Sequence, residues 1–339
     1  MSKLKHIVLI LVSLFVCISG VWAQQAPIFT NYTNSYAYIN PGFAGLSEGV
    51  NLMGLYRQQW AGFIPTSDGS YSNSSSGGSS TSANSTNNET APVTFLLTGD
   101  VPIRIFGGGI SFSVMNDKLG FENNTNVGLG YSYHIDLGGG TLGIGVSVSL
   151  LNRSVNFSGL HPGDGNDPLI DGLSQESTML FDGSAGLFYQ IPESFYIGIS
   201  AINLFESTSR ALGQSETGAS FTTDRTLYLV AGYPFMFEAM PTFKFIPSIG
   251  VMSDIASTQL NAGMKITYND AFSLGVNYRP QESIGVTVGL AIKDFVIGYA
   301  YDINTMGYNI PGSHEIALSY CFKLDMDRTP RDYRSVRYL

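Results

Sequence analysis

The chain has 339 residues, of which 44% are hydrophobic and only 13% charged, with a formal net charge of −9 at pH 7. That charge share is about half the ~25% usual for soluble domains, which argues against a surface wholly covered by water. The excess of acid argues against a nucleic-acid partner, which needs a basic face.

At the amino terminus, Lys3 and Lys5 precede the apolar run "IVLILVSLFV", and "VWA" ends on the small residue Ala23. This is the pattern of a secretory signal peptide over residues 1–23, cleaved before Gln24. The run falls short of the ~20 residues that a membrane helix needs. Cys17 follows Val16, too bulky for the small residue that precedes a lipidated cysteine. Removing the signal leaves Cys321 as the one cysteine, so no disulfide forms within the chain. It also takes away two lysines and no acid, leaving 15 basic residues against 26 acidic ones. Residues 24–49 read as an N-terminal periplasmic segment.

From residue 50 to 323 the dominant period is two, the strand period. In "NVGLGYSYHI" (126–135), Val127, Leu129, Tyr131, Tyr133 and Ile135 share one face, and Asn126, Gly128, Gly130, Ser132 and His134 the other. "LGIGVSVS" (142–149), "FSLGVNYR" (272–279) and "IGVTVGLAIK" (284–293) repeat the pattern. A soluble sandwich turns charged residues to water. Here the second face is Gly, Ser, Thr and Asn, which inverts the logic: large apolar side chains face lipid and small polar ones face a lumen. The expected fold is all-β, a transmembrane antiparallel β-barrel of about 14 strands in the outer membrane. Short periplasmic turns near 102–107, 136–140, 192–194, 237–241, 269–270 and 293–294 alternate with longer external loops at 61–91, 117–125, 152–178, 203–224 and 303–313. The links near 254–257 and 280–283 depart from that alternation. Residues 66–91, rich in Ser and Asn, read as a flexible external loop. The tail 324–339, with Arg328, Arg331, Arg334 and Arg337, lies in the periplasm, either as a solvated terminus or as a docking peptide for an acidic partner.

Motifs that carry chemistry are scarce. No phosphate loop, nucleophile elbow, HExxH pair or cysteine cluster occurs. No catalytic residue and no cofactor is expected, and the chain does not read as an enzyme. His134 and His314 have no triad spacing. Asp164, Asn166, Asp167 and Asp171 put oxygen ligands in one loop and are weak calcium candidates, although such residues also serve any turn. Asp100, Asp182, Lys265, Arg279 and Lys293 fall on the lumen face. They either line a channel or pair with one another and close it. The small residues of that face leave room for a plug or a bound peptide.

The stretches "QQAPIFTNY" (24–32), "YINPGFAG" (38–45) and "YRQQWAGF" (56–63) carry a resemblance. It rests on Pro27, Phe29, Tyr32, Tyr38, Ile39, Asn40, Pro41, Ala44, Gly45, Tyr56, Arg57, Gln59, Trp60, Gly62 and Phe63. At these positions the chain resembles the PorP/SprF family of the type IX secretion and gliding machinery of Bacteroidetes. Echoes such as "GLFYQIPESFYIGISAINL" (186–204) and "SHEIALSYCF" (313–322) extend the resemblance over nearly the whole mature chain. The tract 66–91 is longer than the family's pattern leads one to expect.

The resemblance implies a non-enzymatic accessory barrel that binds, helps export or anchors a surface protein such as an adhesin. The implied partners are that exported client, the periplasmic ring components of the machine, and outer-membrane lipid. An outer-membrane porin or transporter for small, possibly hydrophobic, molecules is the alternative. Asn40-Pro41 is a turn initiator that folds the N-terminal segment back under or into the barrel. Tyr56, Arg57, Gln59 and Trp60 then stand at the first strand. There a guanidinium and an indole either fix that segment or a partner, or simply form the strand and its interfacial aromatic.

Overall fold

Strict alternation of large apolar and small side chains stabilises a strand with two different faces, and the computed structural model closes such strands on themselves. It describes residues 27–47, 49–61, 63–65, 71–73, 91–103, 106–157, 175–209, 220–306 and 310–323. The signal peptide, most of the 66–91 loop, the calcium candidates Asp164, Asn166, Asp167 and Asp171, and the 324–339 tail lie outside the described residues.

The strands are β1 (Gly49–Gln58), β2 (Phe63–Pro65), β3 (Tyr71–Asn73), β4 (Val93–Ile103), β5 (Gly108–Leu119), β6 (Glu122–Leu137), β7 (Gly140–Asn156), β8 (Gln175–Ile191) and β9 (Phe195–Ile202). They continue as β10 (Thr226–Gly232), β11 (Phe235–Phe237), β12 (Met240–Ser253), β13 (Thr258–Tyr268), β14 (Phe272–Arg279), β15 (Ser283–Ile292), β16 (Phe295–Asn304) and β17 (Ser313–Lys323). Every pairing in the wall is antiparallel between sequence neighbours, and β1 pairs with β17 to close the ring, Arg57 opposite Glu315. β10 and β11 run along the same partner, β12, with a break at Tyr233 and Pro234. Proline has no N–H to give the ladder there. Counted so, the wall has 14 strands, and β2–β3 is a separate small hairpin in the first long connection.

Parity decides the faces. Leu129 is 62% exposed, Val146 60% and Leu274 55%, all on the outside. Their neighbours Gly128, Gly130, Gly145 and Gly275 turn inward. An outer face this apolar is stable only against lipid.

Two expectations are corrected. Residues 117–125 do not form a longer loop: β5 and β6 run to Leu119 and Glu122, and the turn is Gly120-Phe121, with Gly120 at φ +59°. The asparagines that suggest a loop instead bond across strands, Asn116 Nδ2 donating to Asn123 Oδ1 at 2.8 Å and Thr125 Oγ1 at 2.9 Å. Lys293 is not on the lumen face. It sits exposed in the β15–β16 turn at φ +56°, where the chain reverses before another inward position is reached.

β1 starts and β17 ends at the short-turn rim, so residues 27–47 reach β1 from that side. They do not remain outside the barrel but run up its interior. Among the described residues, this segment is what occupies the lumen.

Candidate functional site

The lumen segment folds into short helical turns, Tyr32–Asn34, α1 (Tyr36–Ile39) and Pro41–Phe43. Asn40 starts the last of them. Its side-chain Oδ1 accepts from the Gly42 N–H at 2.8 Å, and Pro41 takes the first helical position, where no N–H is needed. Its Nδ2 donates to the carbonyls of Leu187 on β8 and Ile199 on β9, at 3.0 and 3.3 Å. One side chain thus shapes the segment and fastens it to the wall.

On this side the wall gives way to backbone. A Cβ at Gly143, Gly145 or Gly186 would overlap Gly42, Pro41 or Asn40 respectively, so close approach requires glycine there. Ser132 Oγ donates to Gly42 O at 3.0 Å, Ser200 Oγ to Ile39 O at 2.7 Å, and His134 Nε2 meets Ala44 O at 2.9 Å. Tyr36 packs its ring among Phe43, Phe188 and Tyr196, with centroids 5.5–5.6 Å away, and donates its hydroxyl to that of Tyr196 at 2.9 Å.

Across the lumen, charge replaces glycine. Arg57 on β1 bridges Asp302 on β16 at 2.9 Å and Glu315 on β17 at 3.1 Å, and Arg279 on β14 bridges Asp302 at 2.7 Å. All four are between 1% and 4% exposed. Thr30 lies at the centre. Its hydroxyl donates to Asp302 at 2.7 Å and accepts from Arg57 and Arg279 at 3.1 and 3.2 Å. The N–H groups of Thr30 and Asn31 donate to the two oxygens of Glu315 at 2.9 and 2.8 Å. Arg279 also bridges the partly exposed Glu282 at 3.1 Å, so two cations meet two buried anions and a third at the edge, and Thr30 satisfies sites that would otherwise be empty. Since Arg57 faces Glu315 where the first strand meets the last, this lock also bridges the closure of the barrel.

The anchor residues expected from sequence are therefore divided. Asn40 and Pro41 fasten the lumen segment to the β6–β9 side, and Arg57 holds it at Thr30 across the lumen. Tyr56, one residue from Arg57, points the other way and is 44% exposed on the lipid face. Gln59 and Trp60 lie past the end of β1, where the Gln59 N–H bonds Pro92 O at 2.9 Å and the Trp60 N–H bonds Ser313 Oγ at 3.2 Å. Of the expected lumen charges, Arg279 joins the lock. Asp100 accepts from the Gly45 N–H at 3.2 Å, and Asp182 accepts from the Phe205 N–H at 2.9 Å and Thr223 Oγ1 at 2.8 Å.

Sequence reading missed Thr30, Asp302 and Glu315. The available signal was parity, because a charged residue on an inward strand position needs an opposite charge facing it. His134 is on the inner face, whereas His314 packs outside beside Tyr299 and Tyr301, so the two do not meet. Among the described residues no group of acids, histidines and cysteines could hold a metal ion.

Residues 21–320 match the family described as type IX secretion system membrane protein PorP/SprF. The chain belongs to the PorP/SprF family. Within the PorP/SprF match, residues 27–45 form the segment inside the barrel, and Arg57 of "YRQQWAGF" (56–63) locks it. With its lipid-facing belt, this PorP/SprF protein is an outer-membrane barrel.

Among solved structures, a toluene transporter, TbuX, of Ralstonia pickettii is similar at 14% identity and a TM-score of 0.47, over 84% of this chain and 92% of that one. A FadL homologue of Pseudomonas aeruginosa is similar at 12% identity and a TM-score of 0.42, over 85% and 94%. The outer membrane protein Omp33 of Acinetobacter baumannii is similar at 8% identity and a TM-score of 0.42, over 82% and 100%. No protein with a curated description matches this sequence.

Proposed function

We propose that this barrel is a non-catalytic accessory of type IX secretion that holds an exported surface protein, such as an adhesin, at the outer membrane. Periplasmic ring components of the machine are its contacts on the inner side. The observation that carries this reading is the lumen segment itself. Four buried charges and a bed of glycines hold it across the barrel, which suits a docking body better than an open conduit. Cleavage before Gln24 frees the segment to enter the barrel, the long-loop rim with its 66–91 tract receives the client, and the 324–339 tail faces the ring components.

The test is a mild-detergent pull-down of the tagged barrel from its own outer membrane, read by mass spectrometry, beside a deletion strain. A large surface protein recovered in near-equal amount, and lost from the surface of the deletion strain, is the expected result. If every surface protein remains exported and attached without the barrel, the reading fails.

One observation favours a second reading, passage of small apolar molecules. A cavity of about 50 Å³ lies between the segment and the wall, bordered by Phe29, Ile39, Val230 and Met252. Single-channel conductance and uptake by vesicles containing the barrel separate the two readings: silence in both counts against passage.

A further inference from the structure

A second cavity, of about 70 Å³, lies on the other flank of the lumen segment, between it and strands β12 to β16. Its polar lining includes Thr30, Asn31, Ser248, Lys265, Ser273 and Asn277. Among the described residues, no aspartate or glutamate borders it. Lys265 faces inward from β13, half-buried, and makes no ion pair among the described residues. Its neighbour Lys244 is already engaged, at 3.5 Å from Glu193 and 3.2 Å from Asp270. The acids that hold Thr30, Asp302 and Glu315, are already paired with Arg57 and Arg279. A second group points the same way: Asn31 Nδ2 is buried with no hydrogen-bond partner. A cation and an amide donor without partners, facing one polar cavity, are a cost that an anion would remove.

Access is provided. Val296 shares the inward parity of Gly298 and Ala300, yet it is 40% exposed. It lies one residue into β16 from the short turn, so the cavity is reached from the short-turn mouth. Lys265, Ser273 and Gly289 lie at the same depth, near their own turns.

We infer that this cavity is a binding site for a small oxyanion, a carboxylate or phosphate group. Lys265 supplies the charge, Asn31 Nδ2 a directed N–H, and the hydroxyls of Ser248 and Ser273 further donors. The site is independent of which client the barrel holds.

The test is isothermal titration calorimetry on the purified full-length barrel in detergent. Sodium phosphate and sodium acetate serve as probes in separate titrations at constant ionic strength. Saturable heat is expected with at least one probe. Lys265→Met should weaken binding about tenfold, the usual worth of one charge-assisted hydrogen bond, and Lys265→Arg should restore much of it. Removing an unpaired cation does not cost the barrel stability, and heat-modifiable migration on gels checks that the variant folds. Gly298→Leu is the second variant. A Cβ at Gly298 meets nothing nearer than Ala317 at 3.8 Å, so the larger side chain fills the cavity and should abolish binding with Lys265 intact. Heat with phosphate alone assigns the site to phosphate groups, free or carried by a lipid head group. Heat with acetate as well extends it to carboxylates, including a peptide's terminus. No heat with either probe, or equal heat in Lys265→Met and Gly298→Leu, overturns the inference.

Discussion

On the side of the wall formed by β14 to β17 and β1, Thr30 is held by Arg57, Arg279, Asp302 and Glu315. On the β6–β9 side, Asn40 to Phe43 rest on Gly143, Gly145 and Gly186. The same short segment is thus fixed by charge at one end and by shape at the other. The charged side depends on every partner being present, because any one left alone is a buried ion. The glycine side depends on what is absent, because any side chain added there occupies the space of the segment. Apolar packing adds to both, since Tyr32, Tyr36 and Ile39 bury against Phe188, Tyr228 and Val230, and Phe29 against Leu55 and Leu96.

The largest effect is expected where a charge loses its partners. Arg57→Met leaves Asp302 and Glu315 facing each other with Arg279 alone, and should lower the unfolding free energy by about 3–5 kcal/mol, as read by urea unfolding in detergent micelles. Adding Glu315→Gln should recover part of that loss, because the double variant is less unbalanced. On the other side, Gly145→Val places a branched side chain on the Pro41 backbone. The expected cost is about 1–3 kcal/mol, together with faster proteolysis within residues 27–47. Asn40→Ala removes the turn's side-chain acceptor and the bonds to Leu187 O and Ile199 O, and should cost about 1–2 kcal/mol. Tyr36→Phe deletes one hydroxyl bond in the aromatic cluster, worth about 1 kcal/mol. Tyr56→Ala, one residue from Arg57 but on the lipid face, should leave the protease resistance of the lumen segment unchanged. If Gly145→Val proved harmless and Asn40→Ala severe, the glycine side would be a matter of hydrogen bonding rather than shape.

The barrel was legible because its signal repeats. Val127, Leu129 and Tyr131 on one parity, with Gly128 and Gly130 on the other, state which face meets lipid, and the same statement recurs in "FSLGVNYR" and "IGVTVGLAIK". The β5–β6 turn was not legible. Asn123 and Asn124 have the composition of a loop, and only cross-strand partners such as Asn116 make this stretch part of a strand. Lys293 was misplaced for a related reason: the alternation in "IGVTVGLAIK" runs on by one residue past the point at which the chain turns.

The sequence by itself therefore determined the period, the two faces, the approximate strand number and the family, since each is written in local spacing or in contiguous motifs. Tertiary structure alone decided what fills the lumen. Thr30, Arg57, Arg279, Asp302 and Glu315 are spread over 285 positions between Thr30 and Glu315, and closing the barrel is what brings them within hydrogen-bonding distance. A pairing between inward positions on strands distant in sequence leaves no local pattern, because its energy arises only after water has been excluded from all of its members at once.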